Sequence, residues 1–151
     1  MSLQTDSIFI KALQSDDALM QTIGGRLYGT AIPMPEEDAL NEPVPYLIVF
    51  YDGMQNDTQT KDDPYEGDSD RVQVSVACVA KTLADLHSLT SQVRTVIHDY
   101  FVRHREEDAE IPYDYQLSAK AIQYDELKPC YNQELNYSCE TINQTLDDHA
   151  E

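Results

Sequence analysis

Apolar positions follow three rhythms along this chain. The first is helical. Ile8, Phe9, Ala12 and Leu13 share one face, and Leu19, Met20 and Ile23 continue it. Asp6 or Ser7 is expected to cap this segment. Ser15-Asp16-Asp17 is expected to break or re-cap it, because short polar side chains compete for backbone hydrogen bonds. Gly24-Gly25 ends it, since glycine accepts the left-handed conformation at a helix terminus. A longer helix opens at Thr82, with Asp85 three residues on. Its stripe is Leu83, Leu86, Leu89, Val93, Val96, Ile97, Tyr100 and Phe101. Run to about Arg105, it is roughly 35 Å long at ~1.5 Å per residue. Ile111-Pro112 closes it.

The second rhythm is continuous. Tyr46 to Tyr51 is apolar throughout, which predicts a strand covered on both faces, by a helix on one side and a second subunit on the other. The third rhythm alternates. From Arg71 to Val79, Val72, Val74, Val76 and Cys78 face one way, while Gln73, Ser75, Ala77 and Val79 face the other. Two weaker strands follow. In Gln116 to Glu126, Leu117, Ala119 and Ala121 lie opposite Lys120, Ile122 and Tyr124. In Leu135 to Gln144, Tyr137, Cys139 and Thr141 share a face. Lys128 to Asn132 reads as the turn between them.

Ala31 to Val44 carries Pro33, Pro35 and Pro43 and is a loop. Asp52 to Asp70 is a polar connection of 19 residues, a length that compact domains rarely carry without purpose. The order is helix, strand, strand, long helix, strand, strand. It predicts an α+β fold: a mostly antiparallel four-stranded sheet, with a short N-terminal helix and one long helix packed on one face. At 151 residues, one domain is expected over 1–151, with an acidic loop at 52–70 and an acidic tail at 145–151.

Charge sharpens this picture. The chain carries −18, and Glu36 to Asp70 alone holds eleven acids against one base, Lys61. Such a balance argues against gripping nucleic acid, which needs clustered Lys and Arg. It is compatible with a protein that DNA passes without sticking. Three cysteines, Cys78, Cys130 and Cys139, have no framework spacing and read as free thiols in a reducing compartment. The first residues lack the basic and apolar regions of a signal peptide. No stretch approaches the ~18 apolar residues of a membrane span.

Candidate chemistry is sparse. His87 and His98 stand about three turns apart on the long helix, and His98 and His104 fall on different faces. His149 lies in the tail. None has the local spacing of a zinc site. Asn56-Asp57, Asp62-Asp63 and Asp68-Ser69-Asp70 do not keep the register of a calcium-binding EF-hand loop. Gly24-Gly25 and Gly29 follow a helix rather than a strand and are no dinucleotide fingerprint. The acids cluster in polar segments, where water keeps them ordinary and unsuited to acid–base catalysis. Neither a catalytic residue, a metal nor a cofactor is expected.

Several short pieces together carry a family likeness. They are Ala18-Leu19-Met20-Gln21-Thr22-Ile23, Gly25-Arg26-Leu27-Tyr28, a Pro-containing approach to Pro45-Tyr46-Leu47-Ile48-Val49, the strand Arg71-Val72-Gln73-Val74-Ser75-Val76 and the helix from Thr82. In these, over residues 7 to 105, the chain resembles the tail completion (tail terminator) proteins of long-tailed phages and prophages. The resemblance implies a structural α+β subunit that assembles into a ring, often of six, on the head-proximal end of a tail tube. Such a ring stops tube polymerisation and receives the filled head. Its partners would be copies of itself, the tail tube protein and head–neck proteins. DNA would pass through without specific binding. Assembly would take place in the bacterial cytoplasm, with the product in the virion tail and no membrane involved. No catalytic residues carry over.

Contacts with partners or other copies are expected at Tyr46, Ile48 and Phe50 of the apolar strand. They are also expected at Asp57, Asp62, Asp63, Tyr65, Glu66 and Asp68 of the acidic connection. Competing readings are another head–tail connector or neck protein, an acidic module that mimics DNA, and an enzyme. A DNA mimic needs ordered carboxylates spaced like phosphates, whereas these acids gather in loops. An enzyme would bind metal stoichiometrically or depend on His98 or Cys130.

Overall fold

The computed structural model describes residues 5–30, 32–33, 43–56, 69–108 and 110–142. The first helical face forms two helices, α1 (Thr5–Gln14) and α2 (Asp17–Thr22). The break falls where the polar triplet predicts it. Asp16 caps α2, its carboxylate accepting the Leu19 N–H at 2.8 Å. Thr5 is already helical, so Asp6 lies in the first turn of α1 rather than ahead of it. There its charge faces the positive end of the helix dipole. Gly24 and Gly25 follow at φ +60° and +74°, a conformation that side chains with a Cβ resist.

That turn delivers a strand too short to read from pattern, β1 (Leu27–Tyr28), which runs parallel to β2 (Tyr46–Asn56). Arg26 ties the two together. Its carbonyl accepts the Leu47 N–H and its Nε donates to the Pro45 carbonyl, each at 3.1 Å.

β2 outlasts its apolar run. Asp52 is an extra residue between Tyr51, opposite Val74, and Gly53, opposite Gln73. Gly53, at φ 135°, absorbs the distortion and pairing resumes to Asn56. The Asn56 amide then donates to the Asp70 carboxylate at 2.7 Å, fastening the ends of β2 and β3 (Ser69–Ala80). The expected connection 52–70 is therefore shorter at both ends than its polarity indicates, and 57–68 lies outside the described residues.

α3 (Leu83–His104) is capped by Thr82, whose hydroxyl accepts the Asp85 N–H at 3.1 Å. Its 22 residues span about 33 Å. Leu86, Leu89, Val93, Val96, Ile97 and Phe101 are buried as the stripe predicts, whereas Leu83, in the first turn, is exposed.

The expected strand 116–126 divides into β4 (Asp114–Ala119) and β5 (Gln123–Asp125). The Gln133 side-chain amide donates to the Lys120 carbonyl at 2.9 Å, taking an acceptor the ladder would need. β6 (Cys130–Ile142) starts earlier than Leu135 because Cys130, Tyr131 and Asn132, expected in the turn, pair with β5.

Among the described residues the sheet therefore has six strands rather than four. Its order is β1-β2-β3-β6-β4, with β5 beside β6. Every pairing is antiparallel except β1 with β2. α1 and α3 pack on one face, covering Leu47, Val49, Val72, Val74, Val76, Cys78, Leu135, Tyr137 and Cys139. At its centre four rings close a circuit: Phe9 meets Phe101 at 5.3 Å and Tyr137 at 5.0 Å, and Tyr115 meets Phe101 at 5.7 Å and Tyr137 at 5.6 Å.

Candidate functional site

Side-chain alternation sends half of each strand to the face opposite the helices. No described helix covers that outer face, which divides into two halves. The half over β3, β6 and β4 is polar. Arg71 pairs with Glu140 at 3.2 Å, Gln73 donates to Ser138 at 3.0 Å, and the Ser75 hydroxyl lies against Asp52 and Asn136. Glu140 also accepts from the Tyr113 hydroxyl at 3.0 Å.

The half over β1 and β2 is apolar. Tyr46, Val79 and Cys130 are buried there, with Tyr28, Val44 and Ile48 packed around them. Tyr28 and Tyr46 meet edge to face at 6.1 Å, and the Lys128 ammonium sits 4.8 Å above the Tyr46 ring. One chain thus supplies most of the cover that the apolar run of β2 demands. Phe50 is the exception, at 43% exposed. It borders a groove of about 410 Å³ between β2 and the segment after β1, with Tyr28, Gly29, Thr30, Pro33 and Ile48. Among the described residues, no strand pairs with this edge of β2 beyond Ile48.

Tyr46, Ile48 and Phe50 therefore stand on one face, graded from buried to exposed. Within one chain Tyr46 is covered by its neighbours, Ile48 in part and Phe50 least. The acidic contacts Asp57, Asp62, Asp63, Tyr65, Glu66 and Asp68 lie outside the described residues.

A second groove, of about 430 Å³, was not legible in the sequence. It runs between α3 and the edge strand β4. Ser91, Arg94 and His98 line it at helical spacing, and Tyr115 and Tyr137 line it from β4 and β6. Arg94 and His98, four apart on the polar side of α3, were its one sequence signal. The tyrosines are brought there only by strand pairing. His98 Nδ1 and the Tyr115 hydroxyl are 2.6 Å apart. The Tyr137 hydroxyl is buried without a hydrogen-bond partner among the described residues. Burial pushes both phenols above their ordinary range, while the Arg94 charge pulls both back.

The other histidines go elsewhere. His104 Nδ1 meets Glu107 at 3.0 Å, His87 is exposed, and His149 lies outside the described residues. Among the described residues no three of His, Cys, Asp and Glu converge as metal ligands. Cys78 and Cys139 are buried thiols pushed up to about 12, far from the thiolate a nucleophile requires. Burial also raises Cys130. No described helix is long and apolar enough to cross a membrane.

At the level of sequence, neither a family model nor a curated protein matches the chain. Solved structures are similar to it. One is a chain of the virion of a native gene transfer agent particle, at TM-score 0.52 and 11% identity, covering 91% of this chain and 94% of that one. Another is the gp17 protein of bacteriophage SPP1, at TM-score 0.47 and 14% identity, covering 91% and 89%. At 11% identity the likeness to the gene transfer agent chain is one of fold.

Proposed function

We propose that this chain is a structural subunit of a phage-like tail or neck, acting by assembly and without chemistry. Copies join head to tail into a ring that caps the tail tube and connects it to the head. The observation that carries this reading is a sheet that, among the described residues, has an apolar patch left exposed at one edge and an unpartnered strand at the other. A closed ring needs two different surfaces on each subunit, related by a rotation. The patch around Phe50 and Ile48 on the β2 side and the edge of β4, unpaired among the described residues, are two such surfaces. The sequence resemblance over residues 7–105 and the fold shared with a gene transfer agent virion chain support the same reading.

The DNA-mimic reading is weaker on this geometry. Glu140 and Glu134, on the outer face, are paired with Arg71 and Lys120 rather than set out as a bare row.

Phe50→Glu tests the reading. The side chain is already exposed, so the melting transition should move by no more than a few degrees. The mass of the assembled species should nevertheless fall, because a charge then enters the subunit contact. A variant that assembles like the wild type would remove this patch from the contact.

A further inference from the structure

Beside Leu117 and Asp99, the α3–β4 groove is lined by side chains that can donate a hydrogen bond. Arg94 contributes a guanidinium with no ion pair among the described residues, Ser91 and Thr95 contribute hydroxyls, and His98 stands beside Tyr115. Beneath them lies Tyr137, 1% exposed, whose hydroxyl has no partner among the described residues. A buried hydroxyl without a partner costs free energy that a ligand acceptor would recover. Asp99 is the one carboxylate in the lining. It sits at the end shared with a neighbouring hollow that Asp16 and His104 also line. A planar fork above and a neutral phenol below suit a carboxylate, which accepts from both. On a chain of net charge −18, such a donor cluster is a local exception.

We infer that this groove is a carboxylate seat, and that its occupant is the acidic segment 57–68 of a second copy of the chain. That segment has five acids and one base in twelve residues, so its charge complements the seat. Its flanks fit as well. It leaves β2 at Asn56 and returns at Ser69, beside Asp70 and Arg71. Arg71 aligns with Glu140, and Glu140 aligns with Asp114 at the start of β4. The flanks of the segment therefore lie level with the start of β4, which lines the groove, but on the opposite side of the strand order. When the β2 side of one copy meets the β4 side of the next, acids face donors. The edge of β4, unpaired among the described residues, has the free backbone groups that an extended chain needs for strand addition. The seat stands on the geometry of the groove; only the choice of a second copy rests on the ring reading.

A fluorescein-labelled peptide of residues 57–68 tests this, titrated onto the full chain at low salt and followed by anisotropy. Saturable binding is expected. Arg94→Ala should weaken it at least tenfold, and Tyr137→Phe about fivefold, the worth of one net hydrogen bond. Tyr137→Phe should melt no lower than the wild type, because the lost hydroxyl has no protein partner among the described residues. Lys81→Ala, an exposed charge elsewhere, should bind as the wild type does, and a peptide with Asn and Gln for its acids should not bind. Absence of saturation, or unchanged affinity in Arg94→Ala, overturns the seat. Arg94→Ala rings as abundant as wild-type rings overturn its role between copies and leave the ring reading intact. A wild type that never assembles but binds the peptide through Arg94 keeps the seat and removes the ring.

Discussion

Val93→Asp is expected to remove a large part of the chain's stability. Val93 is fully buried at the middle of α3, inside the cluster that joins the helix to the sheet. Among the described residues no Lys or Arg is buried in the core to meet a carboxylate there. The carboxylate must either stay charged in an apolar site or take up a proton, and both are costly. The penalty, with the lost packing, is about 4 kcal/mol or more. Domains of this size are stable by roughly 5–15 kcal/mol in total. Ser88→Asp, exposed on the same helix, is the control and should change stability by less than about 0.5 kcal/mol. Circular dichroism with thermal melting separates the two. A cooperative melt for Val93→Asp within a few degrees of the wild type would contradict the packing of α3.

Phe9→Ala is expected to have the next largest effect, about 3–5 kcal/mol, equivalent to roughly 10–15 °C in the melting midpoint. Phe9 is 0% exposed and touches the rings of both Phe101 and Tyr137, so it links α1 to α3 and to β6. Removing the ring opens a cavity bounded by three elements that cannot all collapse into it. Phe50→Ala deletes the same ring from the outer face, where Phe50 is 43% exposed, and should cost the isolated chain under about 1 kcal/mol. Equal losses in the two variants would mean that the helices do not cover the face assigned to them.

Elements with a long, regular rhythm were legible in the sequence. The buried stripe of α3 and the inward valines of β3 need only local periodicity, and the Asp16 and Thr82 caps need only one side chain and a nearby amide. What stayed hidden depends on pairing across the chain. β1 and β5 have two and three residues, too few for a period, and exist because β2 and β6 offer them an edge. β2 reaches Asn56 through a bulge at Asp52 and Gly53, residues that in isolation signal a strand's end. Half of the candidate site was visible, because the run from Tyr46 to Phe50 announces an apolar strand. The grading from buried Tyr46 to exposed Phe50 required knowing that Val79, Cys130 and Tyr28 gather over one end. The α3–β4 groove was beyond reach. Tyr115 and Tyr137 are brought beside Arg94 by the alignment of β4 with β6 and by the packing of α3.

The central claim is self-assembly, and solution mass tests it most directly. Light scattering at low and at high salt, with negative-stain imaging of any large species, is the measurement. High salt screens repulsion between subunits that each carry −18. The account predicts a discrete species several times 17.2 kDa, favoured by salt and seen as closed rings, either free or on the ends of tail tubes. A mass of 17.2 kDa under every condition, with bare tube ends when the protein is added to them, would contradict it.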